Sequence, residues 1–390
     1  MTKKLSVILS LLFTLLHVNA SNMLFHNDVN INWNNFYNIK LPFDANVVNT
    51  IFQDSNKLIW IGTKRGLVNY NGYNYHLCYY GKNMPDHNTV QAIAQFGNYL
   101  FIGTDNGIRK LNLLTWHFEQ TDDEINKVKA VRALVFFDDK LWIGTREEGL
   151  MYYDMPTGKL HRIPSKMFRH KMVYAILPVS GKLFIGSYGG LNIYDKASHK
   201  LSSVSLPGVK YPIVNSLAYD VHNNCVWMGT DGKLLSYKLS SHDVEVVCEL
   251  SGCYLKSIVS DVHNNRLLIG TETGILDYQI ATGIVHKIEH DVHNPQSLCN
   301  NFISKLYQDA SNNLWVATDN GISMIQQAPL IQDIKLTDFV DSRKGNLFTC
   351  MLHPSDKEYW LGGENGLLYV SEERTIWYCS NNLQYRFNLS

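Results

Sequence analysis

One short phrase recurs eight times along this 390-residue chain, and it constrains the fold more than any other feature. In each copy, apolar residues precede a small residue, and a turn and an aliphatic residue follow; the first copy runs from Ile59 to Leu67. The central small residues are Gly62, Gly103, Gly144, Gly186, Gly229, Gly270, Ala317 and Gly362. Their spacing of 41 to 47 residues predicts a repeat fold built from small sheets, which excludes most enzyme folds.

The second copy shows what one repeat contains. Alternating and continuous apolar runs predict four strands, at residues 90–96, 99–102, 108–113 and 115–118. Gly97-Asn98 and Thr104 to Gly107 supply hairpin turns, and Gly107 suits a positive φ. Four antiparallel strands in about forty residues form one blade of a β-propeller. We therefore predict an all-β fold made of four-stranded antiparallel blades.

The residues around the central glycine are expected to form the core between blades. A residue without a Cβ allows neighbouring backbones to approach closely. The adjacent aromatic side chains are expected to fill the wedge between blades, rather than to form a sugar platform. These are Trp60, Phe101, Trp142, Phe184, Trp227, Trp315 and Trp360.

A propeller must close its ring, because an unpaired blade edge promotes aggregation. Residues 34–39 resemble a fourth strand without a blade, and the pattern after repeat seven breaks at Ala328-Pro329. We predict that this N-terminal strand completes blade seven, which makes residues 21–330 a seven-bladed propeller. Residues 331–390 would then be the first blade of a second, incomplete propeller, with 331–336 as its leading strand. The rival arrangement is a single eight-bladed ring.

The first twenty residues predict an export signal. Lys3 and Lys4 precede an apolar run from Leu5 to Leu16, and residues 18–20 fit a cleavage site. We expect residues 1–20 to be a signal peptide that directs the chain to the periplasm; the alternative is a buried N-terminal strand. The chain stops without a visible capping element, so we expect it to be the N-terminal part of a longer protein.

Composition narrows the classes of partner and chemistry. The formal net charge is zero and only 18% of residues are charged, so nothing favours nucleic acid or a membrane surface as a partner of this segment. Seven cysteines do not form a disulfide framework; Cys248 and Cys253 could bridge a loop, but free thiols are the commoner outcome.

Two histidine-containing segments look like metal sites, but their spacing argues otherwise. Residues 220–224 and 261–265 both read Asp-Val-His-Asn-Asn and lie one repeat period apart. They should therefore occupy the same hairpin on adjacent blades, too far apart to share an ion, and Asn-Asn is common in turns. No nucleophile, phosphate-loop or zinc motif is present, so we predict no enzyme, metal or cofactor. Acids from different blades could still assemble a catalytic site.

The turns between the second and third strands are the best candidate for a ligand site. They should crowd around the central channel of the ring, and their residues are polar and varied. The alternative is that these side chains are solvated turn residues with no ligand. The candidates are Lys64, Arg65, Asp105, Asn106, Arg146, Glu147, Tyr188, Asp231, Glu272 and Asp319.

The segments 54–67 and 309–322 resemble the two-component regulator propeller repeat, and Asn294 to Ile303 matches how that family enters a blade. The resemblance covers nearly the whole chain after residue 20. It implies the periplasmic sensor region of a hybrid two-component histidine kinase of Bacteroidetes, in which two seven-bladed rings precede an immunoglobulin-like domain, a membrane helix and a kinase core. Such sensors respond to oligosaccharides and regulate genes for glycan use. The parent protein would be a homodimer anchored in the inner membrane, and its kinase activity lies outside these residues.

Three functions remain open at this point. The first is an exported propeller that senses an oligosaccharide for a parent kinase. The second is a secreted propeller enzyme acting on polysaccharides, either a lyase or a glycosidase. The third is a free-standing propeller for binding or adhesion.

Overall fold

The computed structural model describes residues 33, 35–41, 46–72, 74–78, 89–164, 170–209, 212–326, 348–355, 358–363, 366–371, 375–378 and 384–387. The predicted signal peptide at 1–20 and the predicted strand at 331–336 lie outside these residues. The chain divides into two compact units, Met1–Ala328 and Pro329–Ser390.

The described part of the first unit contains 28 strands and one short helix, α1 (Asp123–Asn126). In chain order the strands are β1 (Tyr37–Ile39); β2 (Val48–Gln53), β3 (Ile59–Thr63), β4 (Gly66–Tyr70) and β5 (Tyr75–Cys78) in blade 1; β6 (Val90–Phe96), β7 (Tyr99–Thr104), β8 (Gly107–Asn112) and β9 (His117–Glu119) in blade 2; β10 (Val131–Phe137), β11 (Lys140–Thr145), β12 (Leu150–Asp154) and β13 (Lys159–Arg162) in blade 3; β14 (Val173–Val179), β15 (Lys182–Ser187), β16 (Gly190–Asp195) and β17 (Lys200–Val204) in blade 4; β18 (Ser216–Asp220), β19 (Cys225–Gly229), β20 (Asp231–Lys238) and β21 (Val244–Tyr254) in blade 5; β22 (Ser257–Asp261), β23 (Arg266–Thr271), β24 (Gly274–Gln279) and β25 (Val285–Ile288) in blade 6; and β26 (Ile303–Gln308), β27 (Leu314–Thr318) and β28 (Gly321–Ile325) in blade 7.

These strands form seven antiparallel four-stranded sheets arranged as a closed ring. The first strand of each blade contacts the first strand of the next, from β2 through β6, β10, β14, β18 and β22 to β26, and β26 contacts β2 again. The first strands are therefore innermost and surround a central channel. The unit is a seven-bladed β-propeller, and a single eight-bladed ring is excluded.

The ring closes through the N-terminal strand, as the sequence predicts. β1 takes the fourth position of blade 7 and pairs antiparallel with β28, with Asn38 opposite Ser323. The side-chain amide of Asn38 donates hydrogen bonds to the carbonyl oxygens of Pro295 (2.9 Å) and Ser297 (2.8 Å). Its side-chain oxygen accepts one from Ser323 Oγ at 2.7 Å. Side-chain bonds thus reinforce a pairing of only three residues.

The close approach of neighbouring blades explains the small residue in the second strand of each blade. A Cβ on Gly103 would lie 2.4 Å from Cγ1 of Val131, the first residue of the next innermost strand. The same conflict would arise between Gly144 and Val173, at 2.6 Å. Glycine is therefore needed because the leading aliphatic residue of the following blade occupies that space.

The predicted aromatic core is present in the ring. Trp60 and Phe184 are fully buried, and Phe101, Trp142, Trp227 and Trp315 are also buried. Trp360 differs: it lies in the second unit and is only half-buried. Trp116 shifts the start of β9 to His117, two residues later than predicted, because it adopts φ +60° in the turn and packs on Trp60 with ring centroids 5.6 Å apart.

The described residues of the second unit form a single five-stranded antiparallel sheet. Its strands are β29 (Phe348–Ser355), β30 (Glu358–Gly363), β31 (Gly366–Ser371), β32 (Thr375–Tyr378) and β33 (Gln384–Phe387), in that order. The strand that pairs with β30 is β29, and the predicted leading strand at 331–336 lies outside the described residues. β33 pairs antiparallel with the outer edge of β32.

Candidate functional site

A threonine builds the turn between the second and third strands of each blade. In blade 2, Thr104 Oγ1 donates to the carbonyl oxygen of Gly107 at 2.8 Å and accepts from the backbone N–H of Asn106 at 3.0 Å. Gly107 adopts φ +108°, as predicted for this position. The bond to the turn-closing carbonyl is repeated by Thr63, Thr145, Ser187, Thr230, Thr271 and Thr318. The hydroxyl therefore closes the corresponding turn in all seven blades, and the turn of blade 3 is one residue longer than the others.

The residue directly after this threonine or serine is held next to the central channel. The backbone N–H of Lys64 donates to the carbonyl oxygen of Val47 at 3.0 Å, and Arg146 bonds in the same way to Ala130 at 2.9 Å. Val47 and Ala130 immediately precede innermost strands, so each turn is tied to the channel opening. We call this end of the channel the mouth.

All ten predicted site residues are exposed at this end of the ring. Seven of them directly follow the threonine or serine, one from each blade, and we call this set the rim: Lys64, Asp105, Arg146, Tyr188, Asp231, Glu272 and Asp319. The other three, Arg65, Asn106 and Glu147, are second turn residues.

The innermost strands contribute side chains that sequence reasoning missed. The residue after each leading aliphatic is polar in every blade: Asn49, Gln91, Arg132, Tyr174, Asn215, Lys256 and Ser304. Asn49 shows where these side chains lie, because its Nδ2 donates to the carbonyl oxygen of Val90, in the next innermost strand, at 3.0 Å. The sequence signal that could have revealed them is the polar residue that follows Val, Leu or Ile at the start of each repeat.

Blades 3 and 4 contribute arginine and aromatic side chains to the mouth. The rings of His170 and Tyr188 lie 4.5 Å apart between centroids. Burial raises the pKa of Tyr174, and the neighbouring Tyr188 adds to that effect. Burial lowers the pKa of Arg132, with the nearby Arg146 acting in the same direction. Cationic and aromatic groups therefore share one partly desolvated surface.

The opposite side of the mouth is a network of acids and lysines. Lys256 Nζ lies 3.1 Å from Glu272 Oε1 and 3.5 Å from the centroid of the Phe302 ring. Burial raises the pKa of the Asp319 carboxyl, and Lys256 and Lys64 lower it to a smaller extent. Lys64 and Lys256 therefore both have Asp319 as an acidic neighbour.

The two Asp-Val-His-Asn-Asn segments serve as hairpins between first and second strands. Asp220 Oδ1 accepts from the backbone N–H of Asn223, and its Oδ2 accepts from Trp227 Nε1 at 3.1 Å. Asp261 accepts from Arg266 Nε at 2.9 Å. Among the residues that the structure describes, no three His, Cys, Asp or Glu side chains are grouped to hold a metal. Cys248 and Cys253 are free thiols.

Fold and mouth together define a class: a seven-bladed β-propeller whose repeated turns surround one channel opening. The pattern of the two component regulator propeller matches residues 42–65 and 297–320, which include the first two strands of blade 1 and of blade 7. The chain therefore contains two-component regulator propeller repeats.

Solved structures from B. thetaiotaomicron share this fold. Two are of the extracellular domain of BT4673, described once as a one-component and once as a hybrid two-component system. They are 31% and 32% identical, cover 92% and 89% of this chain, and have TM-scores of 0.71 and 0.70. The extracellular domain of the hybrid two-component system BT3049 is 19% identical over 91% of this chain, with a TM-score of 0.61, and supports the fold alone.

The match spans only part of those proteins. This chain covers 48% of each BT4673 structure and 55% of the BT3049 structure, or about half of their length. No curated protein matches the chain significantly. In the described residues, no helix has the length and apolar character needed to cross a bilayer.

Proposed function

We propose that this chain is the ligand-sensing N-terminal part of a hybrid two-component sensor histidine kinase. Residues 1–20 would direct export to the periplasm, and residues 331–390 would begin a second propeller. The two-component regulator propeller repeats and the likeness to extracellular sensor domains support this function. The kinase and the membrane anchor would belong to the parent protein, and this segment would itself catalyse no reaction.

The ligand proposed for the mouth is an oligosaccharide. The observation that carries this proposal is that the contacting blades 3 and 4 place Arg132, Arg146, Tyr174 and Tyr188 at the mouth. Aromatic rings pack against the apolar faces of sugars, while guanidinium and phenol groups donate hydrogen bonds to hydroxyls. Sites for small ligands are typically concave and partly apolar, with a small number of polar groups that converge on the ligand.

Hydrogen bonds connect the turns at the mouth to the innermost strands of the ring. Ala130 links two turns, because its N–H donates to Asp105 O at 3.0 Å and its carbonyl accepts from Arg146 N–H. A ligand that contacts turns of neighbouring blades would therefore favour one arrangement of the innermost strands. In a homodimeric parent, that preference would shift the population of dimer geometries that the kinase senses.

The test is binding of the full chain to plant and host oligosaccharides, first on an array and then by calorimetry. Removing one aromatic contact with Tyr188→Ala should weaken binding about tenfold, the equivalent of roughly 1.4 kcal/mol. Phe96→Ala is the matched control: Phe96 is 41% exposed against 43% for Tyr188, and it also packs on a second ring, but at the opposite end of its blade. Equal losses from both variants, or no binding by the wild type, would refute the site.

A polysaccharide lyase or glycosidase is the competing function. Incubation with the same glycans would then produce unsaturated products or new reducing ends. Binding without either product would support the sensor function, whereas formation of either product would favour the enzyme function.

A further inference from the structure

The innermost strands carry an unbalanced charge. These strands and the residues directly before them contain three cations, Arg132, Lys256 and Lys305. Their only carboxylates, Asp220 and Asp261, are buried at the far ends of β18 and β22, where they accept hydrogen bonds from hairpin groups. The described wall of the channel is therefore cationic.

Lys305 occupies a position where the other blades have small residues. It lies opposite Ala317 in the pairing of β26 with β27. The equivalent residues, each opposite the glycine of its own second strand, are Thr50, Ala92, Ala133, Ala175, Ser216 and Ser257. Because the six equivalent side chains are short, they leave free space around the ammonium group of Lys305.

The Lys305 side chain projects into the channel. It is solvent-exposed although β26 is an innermost strand, and the channel is the open space beside such a strand. The surrounding protein nonetheless removes bulk water, and this desolvation lowers the pKa of Lys305. A side chain that is both accessible and desolvated fits a position within the channel.

Lys305 differs from the other two cations in its surroundings. Arg132 has Asp105 nearby, and Lys256 pairs with Glu272. Lys305 makes no ion pair or hydrogen bond with any residue that the structure describes. A desolvated charge without a counter-charge is unfavourable, and an anion that reaches it removes the penalty.

We propose that the central channel binds an anionic group of the ligand, a carboxylate or a sulfate, at the ammonium of Lys305. This inference rests on the proposed function and narrows it to acidic oligosaccharides. Arg132, one register position nearer the mouth, supplies a second cation for the same ligand. Charge-assisted hydrogen bonds are the strong contacts in such recognition.

Calorimetry on the full chain with four probes tests the proposal: trigalacturonate, its methyl ester, an N-acetylglucosamine-containing sulfated disaccharide, and inorganic sulfate. Preference for trigalacturonate identifies the carboxylate, and preference for the sulfated disaccharide identifies the sulfate. Lys305→Gln should weaken binding of the preferred acidic probe about tenfold or more and leave the methyl ester unaffected. Lys159→Gln removes one exposed charge from β13 and should change nothing.

Two further readouts test the same site, and the first of them uses the wild type alone. Acetic anhydride should label Lys305 in the wild type, and the bound anion should protect it, as measured by mass spectrometry. The anion should also raise the thermal midpoint of the wild type but not of Lys305→Gln. Equal anion affinity in wild type and Lys305→Gln, or no anion binding by the wild type, overturns the proposal.

The outcomes separate this inference from the proposed function. Neutral and acidic sugars binding equally, with no effect of Lys305→Gln, would retain the sensor and reject the channel site. Inorganic sulfate protecting Lys305 while no sugar binds would retain the anion site and reject the oligosaccharide.

Discussion

Gly103 and Thr104 are adjacent in the second blade, and the structure uses them differently. The glycine leaves room for Val131 of the next blade, whereas the threonine hydroxyl closes its own turn through Gly107. The first role could be predicted, because a recurrent glycine in a buried strand indicates close approach. The second could not, because a threonine in sequence does not reveal which carbonyl its hydroxyl reaches.

A methyl group at Gly103 tests the packing role. Gly103→Ala should lower the free energy of unfolding by about 1–3 kcal/mol, since the new Cβ would meet Val131 and force neighbouring side chains to move. Denaturant unfolding of the full chain measures this. The reciprocal control, Ala317→Gly, should cost only about 0.5–1 kcal/mol, the usual cost of glycine in a strand. Wild-type stability in Gly103→Ala would show that Val131 adapts and that the glycine is not required there.

At the scale of elements, the closing strand depends on a loop far away in sequence. β1 contributes three residues to its ladder, and Asn38 adds side-chain bonds to Pro295 and Ser297. The loop at 294–298 is the segment whose resemblance to the family marks entry into a blade. The structure therefore shows what this family-like loop does here: it holds the closing strand β1 in place.

Removing the Asn38 side chain should loosen this closure. Asn38→Ala loses two donated hydrogen bonds and one accepted one, so the free energy of unfolding should fall by about 2–3 kcal/mol at about 1 kcal/mol each. Thermal and denaturant unfolding measure the change. Tyr37→Ala, in the same strand and 60% exposed, should stay within about 0.5 kcal/mol of wild type. A larger effect from Tyr37 than from Asn38 would contradict this account of the closure.

At the scale of the whole propeller, the core lies between blades and not within one of them. One cluster joins Ile39, Ile61 and Trp315, so blade 7 and blade 1 share their apolar contacts. Because the innermost strands contact one another around a complete circle, opening one junction exposes two blades. A closed ring of this kind should unfold as one cooperative unit, unlike an open repeat array.

Amide hydrogen exchange of the Asn38→Ala variant distinguishes the two behaviours. In a cooperative ring, protection of Met151 in blade 3 should fall by the same factor as protection of Ile322 in blade 7. A loss of 2 kcal/mol corresponds to about thirtyfold faster exchange at both amides. Faster exchange confined to blades 7 and 1 would show that the junction opens locally and that the ring behaves as a linear array.

The sequence by itself determined the blade, the number of repeats, the closing strand and seven of the residues at the mouth. It could do so because those features depend on local periodicity and on turn residues that follow one recognisable threonine. Only the tertiary structure decided that Arg132, Tyr174 and Lys305 share the channel with that rim. These residues come from separate blades, and their common environment exists only once the ring has closed and brought the innermost strands around one axis.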